Sequence, residues 1–124
     1  MKYLSDIVQE KQTELFEKTG AFFAFSNKQV DEGRNGVPNE DLIHMGAGLI
    51  CPKVNKEELR QGLIDINAWG IEEDMKQGKL NVILRELGNY ECWFTGDPTE
   101  CIEALDDYPI TKEEILKVFH TRKL

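Results

Sequence analysis

The side chains of this 124-residue chain that could do chemistry are few and widely spaced. Its two histidines, His44 and His120, have no second metal-type ligand at i+3 or i+4 within a recognisable motif, and Cys51, Cys92 and Cys101 form no C-x-x-C pair. A zinc centre needs such spacing, and a disulfide framework is usually built on an even cysteine count, so neither a metal site nor a disulfide framework is expected. A nucleophile pair could in principle join His44 to Cys51 or Cys92. Both cysteines stand in apolar segments, however, where a thiol is usually buried and inert. Gly46-Ala47-Gly48 supplies a G-x-G but no third glycine at the distance a dinucleotide loop requires, so the glycines are better read as a close backbone approach or a bulge. No cofactor and no catalytic residue is expected.

Two polar stretches remain. Ser26, Asn27, Lys28 and Gln29 follow directly on an apolar run, and a strand end is where polar side chains can be held beside a pocket. The other explanation is a turn that merely leaves the sheet. Arg34 lies close in sequence, and Asn89, Tyr90 and Glu91 form a second polar and aromatic cluster. These eight residues are the candidate ligand-binding set. Glu91 stands out because a carboxylate inside a strand, beside Tyr90 and Trp93, could be partly buried with a raised pKa; it could equally pair with Lys28 or Arg85. The remaining carboxylates, among them Glu72-Glu73-Asp74, Glu86 and Asp106-Asp107, read mostly as solvated faces or helix caps. Trp69, Tyr90 and Trp93 could form an exposed aromatic patch for a partner or serve to fill the core.

The elements that must position these residues follow from periodicity. Tyr3 to Lys18 carries Leu4, Ile7, Val8, Leu15 and Phe16 near one face and predicts an amphipathic helix closed by Gly20. Ala21 to Phe25 is an uninterrupted apolar run with three aromatic rings, too short for a helix, and predicts a central strand covered on both faces. Ser26 to Asp41 is rich in turn formers and predicts a long loop. Leu42 to Cys51 predicts a second strand, with Met45, Ala47, Leu49 and Cys51 on one face and His44, Gly46, Gly48 and Ile50 on the other. Asn55 and Glu58 suggest a capping box that opens a helix carrying Leu59, Leu63 and Ile66 inward.

Leu80 to Leu87 predicts a short helix, and Asn89 to Thr95 a third strand with Tyr90, Cys92 and Phe94 on one side. Asp97-Pro98-Thr99-Glu100 is a helix start, and Thr111-Lys112-Glu113-Glu114 is a T-x-x-E capping box for a last helix carrying Ile115, Leu116 and Phe119. The resulting order predicts an α+β fold, a single domain over residues 1–124 with a small antiparallel sheet of about three strands packed against several helices.

Composition sets the outer bounds. A domain of this length buries about 65% of the surface its unfolded chain exposes, so one core suffices. With 15 basic against 23 acidic side chains the formal charge is -8, which repels a phosphate backbone and argues against direct nucleic-acid binding. No apolar run approaches the roughly 18 residues of a membrane span, and Met1-Lys2-Tyr3-Leu4 leads straight into Ser5-Asp6 with no export leader, so a cytoplasmic location is expected.

In Phe22-Phe23-Ala24-Phe25-Ser26-Asn27-Lys28-Gln29, Gly46-Ala47-Gly48-Leu49-Ile50-Cys51-Pro52-Lys53 and Glu86-Leu87-Gly88-Asn89-Tyr90-Glu91-Cys92 with Thr95-Gly96-Asp97, the chain resembles a group of short uncharacterised proteins. That group is carried by bacteriophages, plasmids and some bacterial genomes, and the likeness runs from about Leu15 to Phe119. It brings no activity and no catalytic residue; what it implies is a bacterial cytoplasm under phage or mobile-element influence. The expectation is an accessory protein, non-enzymatic, that binds an as yet unknown host or phage protein. The alternative is a small-molecule or nucleotide-binding domain, with or without catalysis, whose pocket lies near Ser26–Gln29 and Asn89–Glu91. Oligomeric state is left open by the sequence.

Overall fold

The computed structural model describes residues 1–122. Its fold is α+β, with one three-stranded antiparallel sheet packed against several helices. By backbone proximity the chain divides into two compact units, one spanning Ser5–Gly70 and the other joining Met1–Leu4 to the chain from Ile71 onward.

The first unit holds the sheet. Helix α1 (Leu4–Thr19) ends at Gly20, whose φ of 74° suits glycine, and strand β1 (Phe22–Phe23) follows. Next come α2 (Asn27–Gly33), a 3-10 turn over Asn39–Asp41, β2 (Leu42–Gly46), β3 (Leu49–Pro52), a second 3-10 turn over Lys53–Asn55, and α3 (Lys56–Met75), in which the boundary between the units falls. The strand order is β1-β3-β2 and both pairings are antiparallel.

That order corrects the placement of the aromatic run. It is an edge strand of two residues, not the centre of the sheet, and Phe23 and Phe25 are 53% and 75% exposed. The chain leaves the sheet early because Ser26 caps α2. Its hydroxyl accepts from the Gln29 amide at 3.3 Å, while the Gln29 side chain takes the Phe25 amide at 2.6 Å, a donor that a longer strand would have given to a neighbour. The first part of the expected long loop is thus α2, which includes Asp31, Glu32 and Gly33, residues that read as turn formers, and its end is the 3-10 turn over Asn39–Asp41.

The expected second strand is in fact a hairpin. Ala47 and Gly48 have φ of 52° and 82°, the pair of positive angles that a type I′ turn requires, and β3 becomes the central strand with Leu49, Ile50 and Cys51 buried. The pairing register shifts between His44 and Gly46, so a bulge is present, and the Phe25 ring occupies the space where a Gly48 Cβ would stand. Each face of the sheet has its own core. Leu49, Cys51, Ile43 and Met45 meet Leu15 and Phe16 of α1 and Leu59 and Leu63 of α3, whereas Ile50, Leu42 and Phe22 meet Val30 of α2 and Val37. Asn55 does not cap α3; its amide donates to the Thr19 carbonyl at 2.8 Å and ties the end of α1 to the start of α3.

The second unit is helical: α4 (Lys79–Asn89), α5 (Cys92–Thr95), α6 (Thr99–Ala104) and α7 (Lys112–Thr121), with the last turns of α3. Its core gathers Ile71, Val82, Ile83, Leu87, Cys92, Cys101, Leu105, Ile115 and Phe119. The expected third strand over Asn89–Thr95 is absent; the segment is the end of α4, a left-handed Glu91 at φ 52°, and α5. Cys92 is buried while Phe94 is 90% exposed, so the alternation read along this stretch does not describe its packing. Trp93 donates its indole N–H to the Phe119 carbonyl at 3.0 Å, an anchor suited to a helical turn against α7. The Thr111 capping box is present in both directions, and the Asp97 carboxylate accepts from the Thr99 amide at 3.0 Å at the start of α6.

Candidate functional site

In the sheet unit, α2 crosses the face that carries Leu42, His44 and Ile50, and a cavity of about 450 Å³ opens between them. Val30, Leu42 and Ile50 form its apolar lining, and Asn27, Asp31, Arg34, Asn39 and His44 its polar one. The sequence dictates this placement in steps. The Ser26 cap fixes where α2 begins, and Asn27, Val30, Asp31 and Arg34 then recur at helical spacing on one side. The antiparallel register sets His44 opposite Ile50, and Asn39 comes from the turn that leads into β2.

Electrostatics inside the cavity centres on Arg34. Its NH2 pairs with Asp31 Oδ1 at 2.7 Å, yet the Asp31 side chain is 71% exposed against 24% for Arg34, so water screens the carboxylate more than the guanidinium. Arg34 Nε is enclosed and has no hydrogen-bond acceptor. A buried donor without an acceptor costs about 1–3 kcal/mol, which is why such groups usually point to a missing partner.

The candidate residues from the sequence separate into groups. Asn27 and Arg34 line the cavity. Ser26 and Gln29 are occupied in capping α2, and Lys28 is a solvated side chain 4.0 Å from Glu32. Asn89, Tyr90 and Glu91 lie in the helical unit: Asn89 contacts Glu86 at 3.5 Å, Tyr90 ends α4, and Glu91 precedes α5 with its side chain exposed, not set in a strand. His44, Asn39 and Asp31 were not grouped with Arg34 by the sequence. The signal that could have found them is the S-x-x-Q spacing at Ser26, where the Ser26 hydroxyl caps the helix and the Gln29 side chain accepts from the Phe25 amide, which turns the loop into a helix and brings Asp31 and Arg34 to one side.

The helical unit holds a second cluster of ionisable groups, built on the two carboxylates that depart from the otherwise solvated pattern. Asp74 is fully buried and Glu86 nearly so. Arg85 gives NH1 and NH2 to the two Asp74 oxygens at 2.6 and 2.8 Å, Nε to Glu86 at 2.7 Å, and NH1 also to the Lys2 carbonyl at 2.8 Å. Gln77 and the Tyr108 hydroxyl donate to the same Asp74 carboxylate. Burial alone would raise the Asp74 pKa, but the hydrogen bonds from Arg85, Tyr108 and Gln77 outweigh it and hold the carboxyl below its usual range. Burial and the Asp74 charge raise the Tyr108 phenol. Every nitrogen of Arg85 is engaged, through four hydrogen bonds, and its side chain is closed off from water, so this cluster orders the unit.

All three cysteines are buried and unpaired, and burial raises each thiol, Cys101 to about 12. Trp93 stacks near Phe119 in the core, and Trp69 lies half-buried beneath Lys11 at 4.6 Å. Among the described residues no group of three or more His, Cys, Asp or Glu could hold a metal ion, and no helix is long and apolar enough to cross a membrane.

Comparison with curated proteins and with solved structures found no significant match to the chain in either case. Residues 4–123 match a domain family described as "Family of unknown function (DUF7659)", and with nearly the whole chain covered, the protein belongs to that family.

Proposed function

We propose that the protein works by binding, and that its ligand site is the cavity between α2 and the sheet. The observation that carries this is convergence. Arg34, Asn27, Asn39 and His44 surround a concavity of about 450 Å³, a size within the range of small-molecule sites, with a lining more polar than apolar. Their side chains are unspent: among the described residues Asn27, Asn39 and His44 make no side-chain hydrogen bond, and Arg34 Nε has no acceptor. The test is a fragment screen followed through the amide resonances of the labelled protein. Fragments should perturb α2, Asn39 and β2 together; hits scattered over the surface, or none, would remove the proposal.

A second proposal, docking of a protein partner, is favoured by Phe23 and Phe25. The Phe23 ring meets Phe16 edge-on at 5.7 Å and Phe25 lies over Gly48, so both aromatic rings are supported from below while exposed above. A phage or mobile-element accessory protein in a bacterial cytoplasm would have use for such a surface, and its formal charge of -8 would steer a basic partner to it. Recovery of one partner at low salt, reduced by Phe25→Ser, supports this; recovery unaffected by Phe25→Ser removes it. Direct DNA binding is not part of either proposal, and a gel shift at low ionic strength should show none.

A further inference from the structure

Resting on the proposal that the α2 cavity binds a small molecule, we infer that its ligand is a monocarboxylate with a compact apolar body. The first step concerns sign. The cavity is lined by one cation and one anion, but they are unequally placed: Asp31 reaches into solvent, whereas Arg34 is largely covered and its Nε is enclosed. A charge withdrawn from water acts more strongly on what lies beside it, so the cavity presents itself to a ligand as a hydrogen-bond donor site of positive character. The Asn27 and Asn39 amides and the His44 imidazole add donors that do not oppose it.

The second step concerns how much negative charge is tolerated. One guanidinium, already sharing NH2 with Asp31, stands in a chain of formal charge -8. A dianionic phosphate would meet that field with a single cation, while a carboxylate carries one charge and matches the planar guanidinium edge. The third step is volume. A bare carboxylate would leave most of about 450 Å³ unfilled, and Val30, Leu42 and Ile50 give the sheet side of that remainder its apolar part, smaller than the polar part supplied by the other lining residues. The complementary molecule therefore carries an acid group toward Arg34 and a branched or aromatic body against the sheet.

The experiment follows the Arg34 Nε–H resonance and the amides of α2 and β2 in the intact protein during titration with benzoate, benzamide, phenyl phosphate and inorganic phosphate. Benzoate should move the Nε–H and the cavity amides to saturation, with benzamide at least 10-fold weaker. Arg34→Met should weaken benzoate at least 10-fold with the rest of the spectrum unchanged, and Arg34→Lys, which keeps the charge but lacks Nε–H, should fall between. Benzamide binding as well as benzoate would overturn the anion inference while leaving the cavity as a ligand site. Phenyl phosphate or phosphate binding more tightly than benzoate would overturn the carboxylate assignment. If no probe and no fragment moves the cavity amides, the inference falls together with the proposal beneath it. Should Arg34→Met fail to fold, the ranking of benzoate over benzamide on the unsubstituted protein decides alone.

Discussion

The Arg85 guanidinium lies edge to edge with the Asp74 carboxylate, NH1 2.6 Å from Oδ1 and NH2 2.8 Å from Oδ2, and both side chains are closed off from water. Such a pair is costly to bury, and here the cost is offset by further bonds that satisfy what remains: Glu86 on Nε, the Lys2 carbonyl on NH1, Gln77 and Tyr108 on the carboxylate. Removing one partner is therefore worse than removing both.

Asp74→Asn should destabilise the protein by about 3–5 kcal/mol in urea denaturation, because Arg85 is left charged, buried and without its main counter-ion. Replacing both, as Asp74→Leu with Arg85→Met, should recover part of that loss. The pH dependence has a definite sign. The folded Asp74 carboxyl has a lowered pKa, so its contribution is fully present above the unfolded value of about 3.9 and is lost as pH falls through the folded one. Stability of the unsubstituted protein should drop more steeply than that of Asp74→Asn below about pH 4; parallel acid limbs would mean the pair is not formed.

Gly33→Ala tests how closely α2 is seated on the sheet. A Cβ there would come within 2.3 Å of Phe22 Cδ2 and 2.7 Å of Cγ, too near the root of the ring for a small rotation to relieve. Overpacking should cost about 1–3 kcal/mol, against a gain of at most about 1 kcal/mol from replacing glycine in a helix. Thermal and urea unfolding measure the net loss; an alanine variant as stable as its parent would show that the ring has room.

The thiols should be silent in the native state. Cys51, Cys92 and Cys101 are fully buried, and loss of solvation raises each pKa, with Cys101 at about 12. A thiol reagent at pH 8 should label none of them on the timescale of minutes and all of them in denaturant. Rapid labelling of one cysteine in native buffer would mark a segment that opens locally.

How much of this was legible depended on how local the signal was. Thr111 and Glu114 announce the last helix because cap and box lie within one turn, and the structure bears them out. Ser26 and Gln29 carry a similar signal, masked by the aromatic run before them and the stretch of turn formers after. The hairpin was hidden for a different reason: the alternation of Met45, Leu49 and Cys51 continues through the turn, and Ala47 is not a residue that advertises a positive φ. At Asn89–Thr95, strand-like composition lost to tertiary packing, with Cys92 drawn into the helical core and Trp93 bonded to α7. The cavity needed long-range information of another sort, since only the pairing of His44 with Ile50 sets the imidazole across from Arg34.

The sheet's borders have a bearing on how the protein behaves when crowded. One border is β1, only two residues long before Ser26 diverts the backbone into a helix; the other is β2, kinked where its register slips between His44 and Gly46. A visiting strand needs a flat, extended row of unpaired amides and carbonyls to zip onto, and short or bulged margins deny it one. Among the described strands the molecule thus carries its own guard against fibre-like stacking, and it does so through backbone geometry, without a charged gatekeeper in either run.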